Sequence, residues 1–310
     1  MKHYTNIFDL KNFDLTVSEA LALKSDPRKF VELGKGKRIV MLFFNPSLRT
    51  RLSTEVAAAN LGMDVTILNV GDSWSLEFED GTVMNMDASE HVKEAARVIS
   101  LYADIIGIRA FPGLKNKEED RADKILQSFK TYADVPVISL EGSTGHPLQA
   151  LADAMTITEY NSSFRPKVVL TWAPHPKPLP HAVPTSFIRA MSQMDVEFSI
   201  THPEGLALDP ELTRGIHVSY DQESALQDAD FVYAKNWATY EPYGQVADGF
   251  DNWMITKEKL DHAYFMHCLP VRRNVVVEDR VLDGSQSLVL SQSENRVYAV
   301  QQIIKNLLEE

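Results

Sequence analysis

Cysteine is nearly absent: Cys268 is the only one in 310 residues. No intrachain disulfide can form, which excludes disulfide-stapled secreted folds and points to a reducing compartment. There is no apolar run of membrane-spanning length. The first residues, MKHYTNIFDLKNFD, lack both the apolar core of a secretory signal and the Arg/Ser-rich character of a transit peptide. The expectation is a soluble, cytoplasmic protein. Positive charge is also scarce. The 31 Lys and Arg face 43 Asp and Glu, for a net charge of −12, which argues against nucleic acid or an anionic membrane as the main partner. Internal repeats and low-complexity tracts are missing, and so is a Walker-type glycine-rich phosphate loop.

What is present is a 44% hydrophobic chain, long enough for two domains. Short runs rich in Val, Ile, Leu and Phe predict strands at residues 38–44, 64–70, 104–110, 135–140, 167–172, 197–201, 231–234, 264–268 and 287–290. Amphipathic segments alternate with them, as in residues 90–102, 118–132, 147–160 and 182–194. This alternation predicts an α/β protein of two domains, each a parallel sheet of four or five strands flanked by helices. The division is placed in the helix 147–160. Residues 1–150 then form one domain, joined by a terminal helix 293–310, and residues 151–292 form the other. Residues 173–184, APHPKPLPHAVP, carry five prolines and predict a stiff extended loop leaving a strand.

The most informative stretch is FFNPSLRTR, residues 43–51. A strand ends, and Ser47, Arg49, Thr50 and Arg51 arrive where a helix begins. Unpaired N–H groups, guanidinium groups and hydroxyls at a helix start suit a phosphate-sized dianion. The competing reading is a Ser47 cap followed by solvated arginines, which the helix dipole would disfavour. Further polar groups cluster at predicted strand ends, where α/β folds bind ligands. Arg109 closes one strand, and Glu141, His146 and Gln149 follow another. His267 and Cys268 close a third, with Leu269-Pro270, a possible cis bond, and Arg272 just after. Cys268 has no catalytic-triad signature and reads as a buried or lining residue. Ser293 reads as the cap of the terminal helix, with Arg296 in its first turn. Each alone is an ordinary turn, cap or surface residue. Surface solvation accounts poorly for their joint placement.

The ordered set FFNPSLRTR, HPLQ (residues 146–149), HCLP (267–270) and ENR (294–296) resembles the aspartate/ornithine carbamoyltransferase family along essentially the whole chain. The resemblance implies two α/β domains, one for carbamoyl phosphate and one for an amino substrate. It also implies a homotrimer with shared active sites and no metal or organic cofactor. Carbamoyl phosphate would be held by Ser47, Leu48, Arg49, Thr50, Arg109, His146, Gln149, Cys268, Leu269 and Arg296. Trp74 of a neighbouring subunit would also reach it. Arg49, Thr50, Arg109 and His146 would act on the reacting groups.

The ornithine branch's Ser-Met-Gly is replaced here by Lys235-Asn236-Trp237, and the aspartate branch's Pro-Leu-Pro-Arg by HCLPVRR. These departures resemble the branch acting on N-acylated ornithine, where Glu90, Glu141, His175, Lys235 and Arg272 would line the acceptor site. Members using N-succinylornithine have proline at position 90 and those using N-acetylornithine have glutamate. Glu90 therefore favours acetyl, while the rest of the chain resembles the succinyl type. Alternatives are another amine substrate, such as ornithine or putrescine, and a non-catalytic binding paralogue.

Overall fold

Parallel strands need long crossovers, and this sequence supplies a helical segment after most of its apolar runs. The computed structural model describes residues 1–70 and 74–310; Gly71, Asp72 and Ser73 lie outside it. The chain forms two compact units: residues 1–113, 118–148 and 296–310, and residues 114–117 and 149–295. It passes between them around residues 114–117 and within the helices Pro147–Tyr160 and Val289–Leu308.

The first unit contains β1 (Arg38–Phe43), β2 (Asp64–Asn69), β3 (Leu76–Glu77), β4 (Glu90–His91), β5 (Ile105–Arg109) and β6 (Val137–Glu141). A four-stranded sheet has the order β2-β1-β5-β6, with every pair parallel. Strands β5 and β6 are buried throughout, as strands covered on both faces should be. One face packs Val40, Leu42, Ile106 and Ile108 against Val92, Ile99, Leu126 and Phe129. The winding reverses between β1 and β5, so a crevice opens beyond their carboxyl ends. The helix Leu48–Asn60 begins there, and Arg109 ends β5 there. Asn45 ties the two exits together by accepting the Phe111 N–H at 2.7 Å.

The second unit contains β7 (Lys167–Trp172), β8 (Glu197–Thr201), β9 (His217–Ser219), β10 (Phe231–Lys235) and β11 (Tyr264–Met266). Its five-stranded sheet has the order β11-β10-β7-β8-β9, again parallel. Here the reversal lies between β7 and β10. The proline-rich loop leaves β7 at this point and is clamped to the chain leaving β10. Asn236 donates to the Ala173 carbonyl (2.8 Å), Trp172 Nε1 to Trp237 (3.0 Å), and the Ala238 N–H to Leu179 (3.0 Å).

Two expectations need correction. Residues 287–290 are not a strand: Ser287 makes one isolated bridge with Phe265, and Val289 already begins the terminal helix. Ser293 is therefore no cap, and the helix does not start at residue 293. The Ser293 hydroxyl donates to the Val289 carbonyl one turn back, and Arg296 lies two turns in. The helix start was hidden because its buried face carries polar Gln292, Asn295 and Arg296, which interrupt the apolar period. The short strands β3, β4 and β9 also went unread; HVS in β9 offers one aliphatic residue.

The amino-terminal segment completes the first sheet. The Tyr4 N–H donates to Val137 (2.9 Å), its carbonyl accepts from Ser139 (2.8 Å), and its ring is fully buried. Its hydroxyl donates to the Pro147 carbonyl at 3.3 Å, next to His146. Tyr4→Phe should cost about 1 kcal/mol, one net hydrogen bond. Tyr4→Ala should cost about 3–5 kcal/mol, as large-to-small core changes do. Urea unfolding of the two variants measures both.

Candidate functional site

In the first unit, Ser47 has extended backbone (φ −154°) and its Oγ accepts the Thr50 N–H at 3.3 Å. This cap fixes the helix start and turns Thr50 inward, where it is 1% exposed. Thr50 Oγ1 is the point of convergence. It accepts from Arg109 Nη1 at 3.3 Å and from Arg296 Nη2 at 2.8 Å. Arg109 also pairs with the Glu141 carboxylate at the end of the adjacent strand, and its guanidinium lies 4.4 Å from the Phe111 ring centroid. Glu141 Oε2 lies 3.5 Å from His146 Nε2. Arg109, Glu141, His146 and Arg296 are all buried.

Burial first, and then the charges of Arg296, Arg109 and Arg49, hold His146 well below the ordinary histidine value. His146 is therefore a neutral imidazole at neutral pH. Three guanidinium groups (Arg49, Arg109 and Arg296) act on one place, and the Glu141 carboxylate pairs with one of them. Buried positive charge gathered in this way suits an anionic ligand. The sequence reading placed Arg51 with this group, but its Nη2 instead donates to Asn69 at 2.9 Å, and it lies over the Phe43 ring. Leu48 is exposed.

Elsewhere in the first unit, Trp74 Nε1 donates to Glu90 Oε2 at 3.1 Å. The pairing of β3 with β4 sets Leu76 opposite Glu90 and so brings the two side chains together. Nothing in the local sequence pattern announces this bond, because the residues between the two short strands form an irregular loop.

In the second unit, Gln149 is 1% exposed and donates through Nε2 to Asp153 Oδ1 at 2.8 Å. Gln292 Nε2 donates to the same oxygen at 2.8 Å, and its own carbonyl accepts the His267 N–H at 2.9 Å. His267 Nδ1 in turn accepts the Leu269 N–H at 2.9 Å. The Leu269–Pro270 bond is cis, as the sequence suggested, and Cys268 is buried. Asp153 and Gln292 were missed by sequence reading, although each lies four residues from a residue that was singled out: Asp153 after Gln149, Gln292 before Arg296.

A cavity of about 500 Å³ is lined by His175, Pro270, Val271, Arg272, Arg273 and Val275. Arg272 Nε donates to His175 Nε2 at 3.3 Å. Partial burial is the main reason that His175 sits below its ordinary value, and Lys235 and Arg272 add to it. Lys235, at the end of β10, is buried. The cationic groups around His175 suit a carboxylate on a small molecule. Among the described residues, no cluster of His, Cys, Asp and Glu could hold a metal ion. No described helix is long and apolar enough to cross a membrane.

Residues 2–159 match the family model "Aspartate/ornithine carbamoyltransferase, carbamoyl-P binding domain", and residues 181–307 match "Aspartate/ornithine carbamoyltransferase, Asp/Orn binding domain". The chain is 47% identical to an N-succinylornithine carbamoyltransferase of Bacteroides fragilis, covering 100% of this chain and 99% of that one. It is 37% identical to an N-acetylornithine carbamoyltransferase of Xanthomonas campestris pv. campestris, covering 99% and 98%. A solved N-acetyl-L-ornithine transcarbamylase mutant, complexed with carbamyl phosphate and N-succinyl-L-norvaline, is similar with a TM-score of 0.93 at 36% identity, covering 99% and 100%.

The depressed His146 value sets a pH dependence. Below about pH 6.5 the unfolded chain takes up a proton on this residue that the folded chain refuses. Stability is therefore complete above that pH and falls as pH drops toward the lower, folded value. His146→Gln should flatten the fall in unfolding free energy between about pH 7 and 5.5, measured by urea unfolding at several pH values.

Proposed function

The chain belongs to the aspartate/ornithine carbamoyltransferase family, and from that premise we propose that it transfers the carbamoyl group of carbamoyl phosphate to the δ-amine of an N2-acyl-L-ornithine. The products are an N-acyl-L-citrulline and phosphate, a step of arginine biosynthesis. One observation carries the donor half: Arg49, Arg109 and Arg296 act around buried Thr50, with Glu141 paired to one of the three.

The phosphate dianion supplies negative charge to this cluster, with Ser47, Leu48, Arg49 and Thr50 at the helix start. The uncharged amine attacks the carbonyl carbon, and the C–N bond forms as the C–O bond to phosphate breaks. Charge growing on the carbonyl oxygen is met by Thr50, Arg109 and the N–H of neutral His146. Gln149 and the carbonyls of Cys268 and Leu269 take the carbamoyl NH₂. The proton lost by the amine leaves with phosphate. Positioning and fixed charge suffice for this chemistry, with no cofactor.

The acceptor half rests on Lys235 and Arg272, whose charge suits the substrate carboxylate, with His175 beside Arg272 and Glu141 as a further residue of the acceptor site. Residues 1–150 with the terminal helix serve the donor, and residues 151–292 the acceptor. Glu90 favours acetyl as the acyl group, because a carboxylate beside the acyl pocket repels the second carboxylate of a succinyl group. The higher identity to the Bacteroides relative favours the succinyl reading instead.

A homotrimer with shared sites is supported by exposed Leu48, Leu52 and Val56, which form an apolar stripe at helical spacing, and by exposed Val83 and Met86. In that assembly Trp74 and Glu90 serve a neighbouring subunit. The lone cysteine is in keeping with the cytoplasm.

A substrate panel tests the reading. Citrulline-type product should form from carbamoyl phosphate with N-acetylornithine or N-succinylornithine far faster than with ornithine or putrescine. Turnover of ornithine alone overturns the acyl assignment, and carbamoyl phosphate binding with no transfer to any amine supports a non-catalytic paralogue. Glu90→Pro should shift preference toward N-succinylornithine; an unmoved ratio of kcat/KM values refutes its role. Arg49→Ala should lower kcat/KM for carbamoyl phosphate by about 100-fold or more with an unchanged circular dichroism spectrum.

A further inference from the structure

A glutamine amide has a donor end and an acceptor end of nearly the same shape, so its orientation depends on its neighbours. Gln149 would need its acceptor end toward a carbamoyl NH₂, and something must hold it that way round. Asp153 is fully buried, lies four residues later on the same helix, and accepts the Gln149 NH₂ at 2.8 Å. A carboxylate oxygen accepts and does not donate, so the NH₂ end of Gln149 faces Asp153 and the carbonyl end faces away.

The same oxygen orients a second amide. Gln292 is 1% exposed and also turns its NH₂ to Asp153 Oδ1, at 2.8 Å. Its carbonyl end then receives the His267 N–H at 2.9 Å, which anchors the backbone just before Cys268 and Leu269. Tyr233 stands beside Asp153 and Cys268, fully buried. Burial first, and those two neighbours next, push its hydroxyl well above its ordinary value, so it presents a proton there and not a rival anion.

We infer that Asp153 is a positioning residue for the donor substrate: its carboxylate fixes Gln149 directly, and the Cys268–Leu269 backbone through Gln292, so that carbonyl oxygens face the carbamoyl NH₂. This rests on the carbamoyl phosphate reading above. The bland alternative is a structural tie between two helices.

Acetyl phosphate separates the two, because it carries a methyl group where carbamoyl phosphate carries NH₂. Affinities of both are measured on the full-length protein by calorimetry, or by competition against turnover. The wild type should prefer carbamoyl phosphate. In Asp153→Asn the amides can turn over, so that preference should fall about tenfold while acetyl phosphate affinity holds. The double variant Gln149→Glu with Asp153→Asn keeps a hydrogen bond of reversed polarity, again with an acceptor facing away from position 153. It should recover the preference even if total affinity drops.

Parallel loss of both affinities in Asp153→Asn, with the ratio kept, overturns the inference alone. If that single variant does not fold, the double variant decides: a ratio near the wild type's supports the positioning role, and a lost ratio overturns it. A wild type that binds neither phosphate overturns the carbamoyl phosphate reading and this inference together.

Discussion

The arrangement in the first unit depends on one electrostatic imbalance. Arg109 and Arg296 both donate to a single threonine hydroxyl that is shut away from water, and Arg49 acts on the same neighbourhood. Buried charge of one sign costs several kcal/mol per ion unless it is matched. Glu141 matches Arg109. The surrounding elements hold the cluster in place. Ser47 caps the helix so that Thr50 points inward, Arg109 leaves a strand that is rigid because it is buried on both faces, and Arg296 projects from two turns inside a long helix. A dianion would relieve the cost, so the same feature that burdens folding favours binding.

The imbalance also sets the character of His146. Three nearby cations and full burial keep it neutral. In the proposed reaction a neutral imidazole would donate a hydrogen bond to a developing oxyanion without adding a fourth fixed charge. Glu141, whose carboxylate lies 3.5 Å from His146 Nε2, offsets the charge of Arg109. In the second unit the same logic appears with the sign of the hydrogen bond in place of charge. Asp153, an acceptor, fixes the orientation of two amides, and that order reaches the backbone at His267.

Much of this was legible in advance. Apolar runs covered on both faces gave β1, β5, β6, β7, β8 and β10 within a residue or two, because a short unbroken hydrophobic run bounded by turn residues suits a doubly covered strand better than any amphipathic element. Strand β9 was not legible, because a three-residue edge strand with one aliphatic side chain carries too little pattern. The terminal helix was read four residues late, since its inward face there is polar: Gln292, Asn295 and Arg296 are buried by their partners and not by their chemistry. Of the arginines in FFNPSLRTR, the local pattern alone did not separate Arg49 from Arg51; only the family resemblance singled out Arg49. A helix turns about 100° per residue, so residues two apart face different ways, and Arg51 went to Asn69.

Sequence alone determined the class of fold and the family, because these follow from periodicity and from short ordered motifs. Tertiary structure alone decided which groups share a partner. Thr50 with Arg296, Trp74 with Glu90, and Asp153 with Gln292 are pairs separated by 246, 16 and 139 residues. Local spacing cannot encode such meetings; they arise when sheet order and helix packing bring distant segments to one point, and the energetics of burial then select which polar groups can stay there.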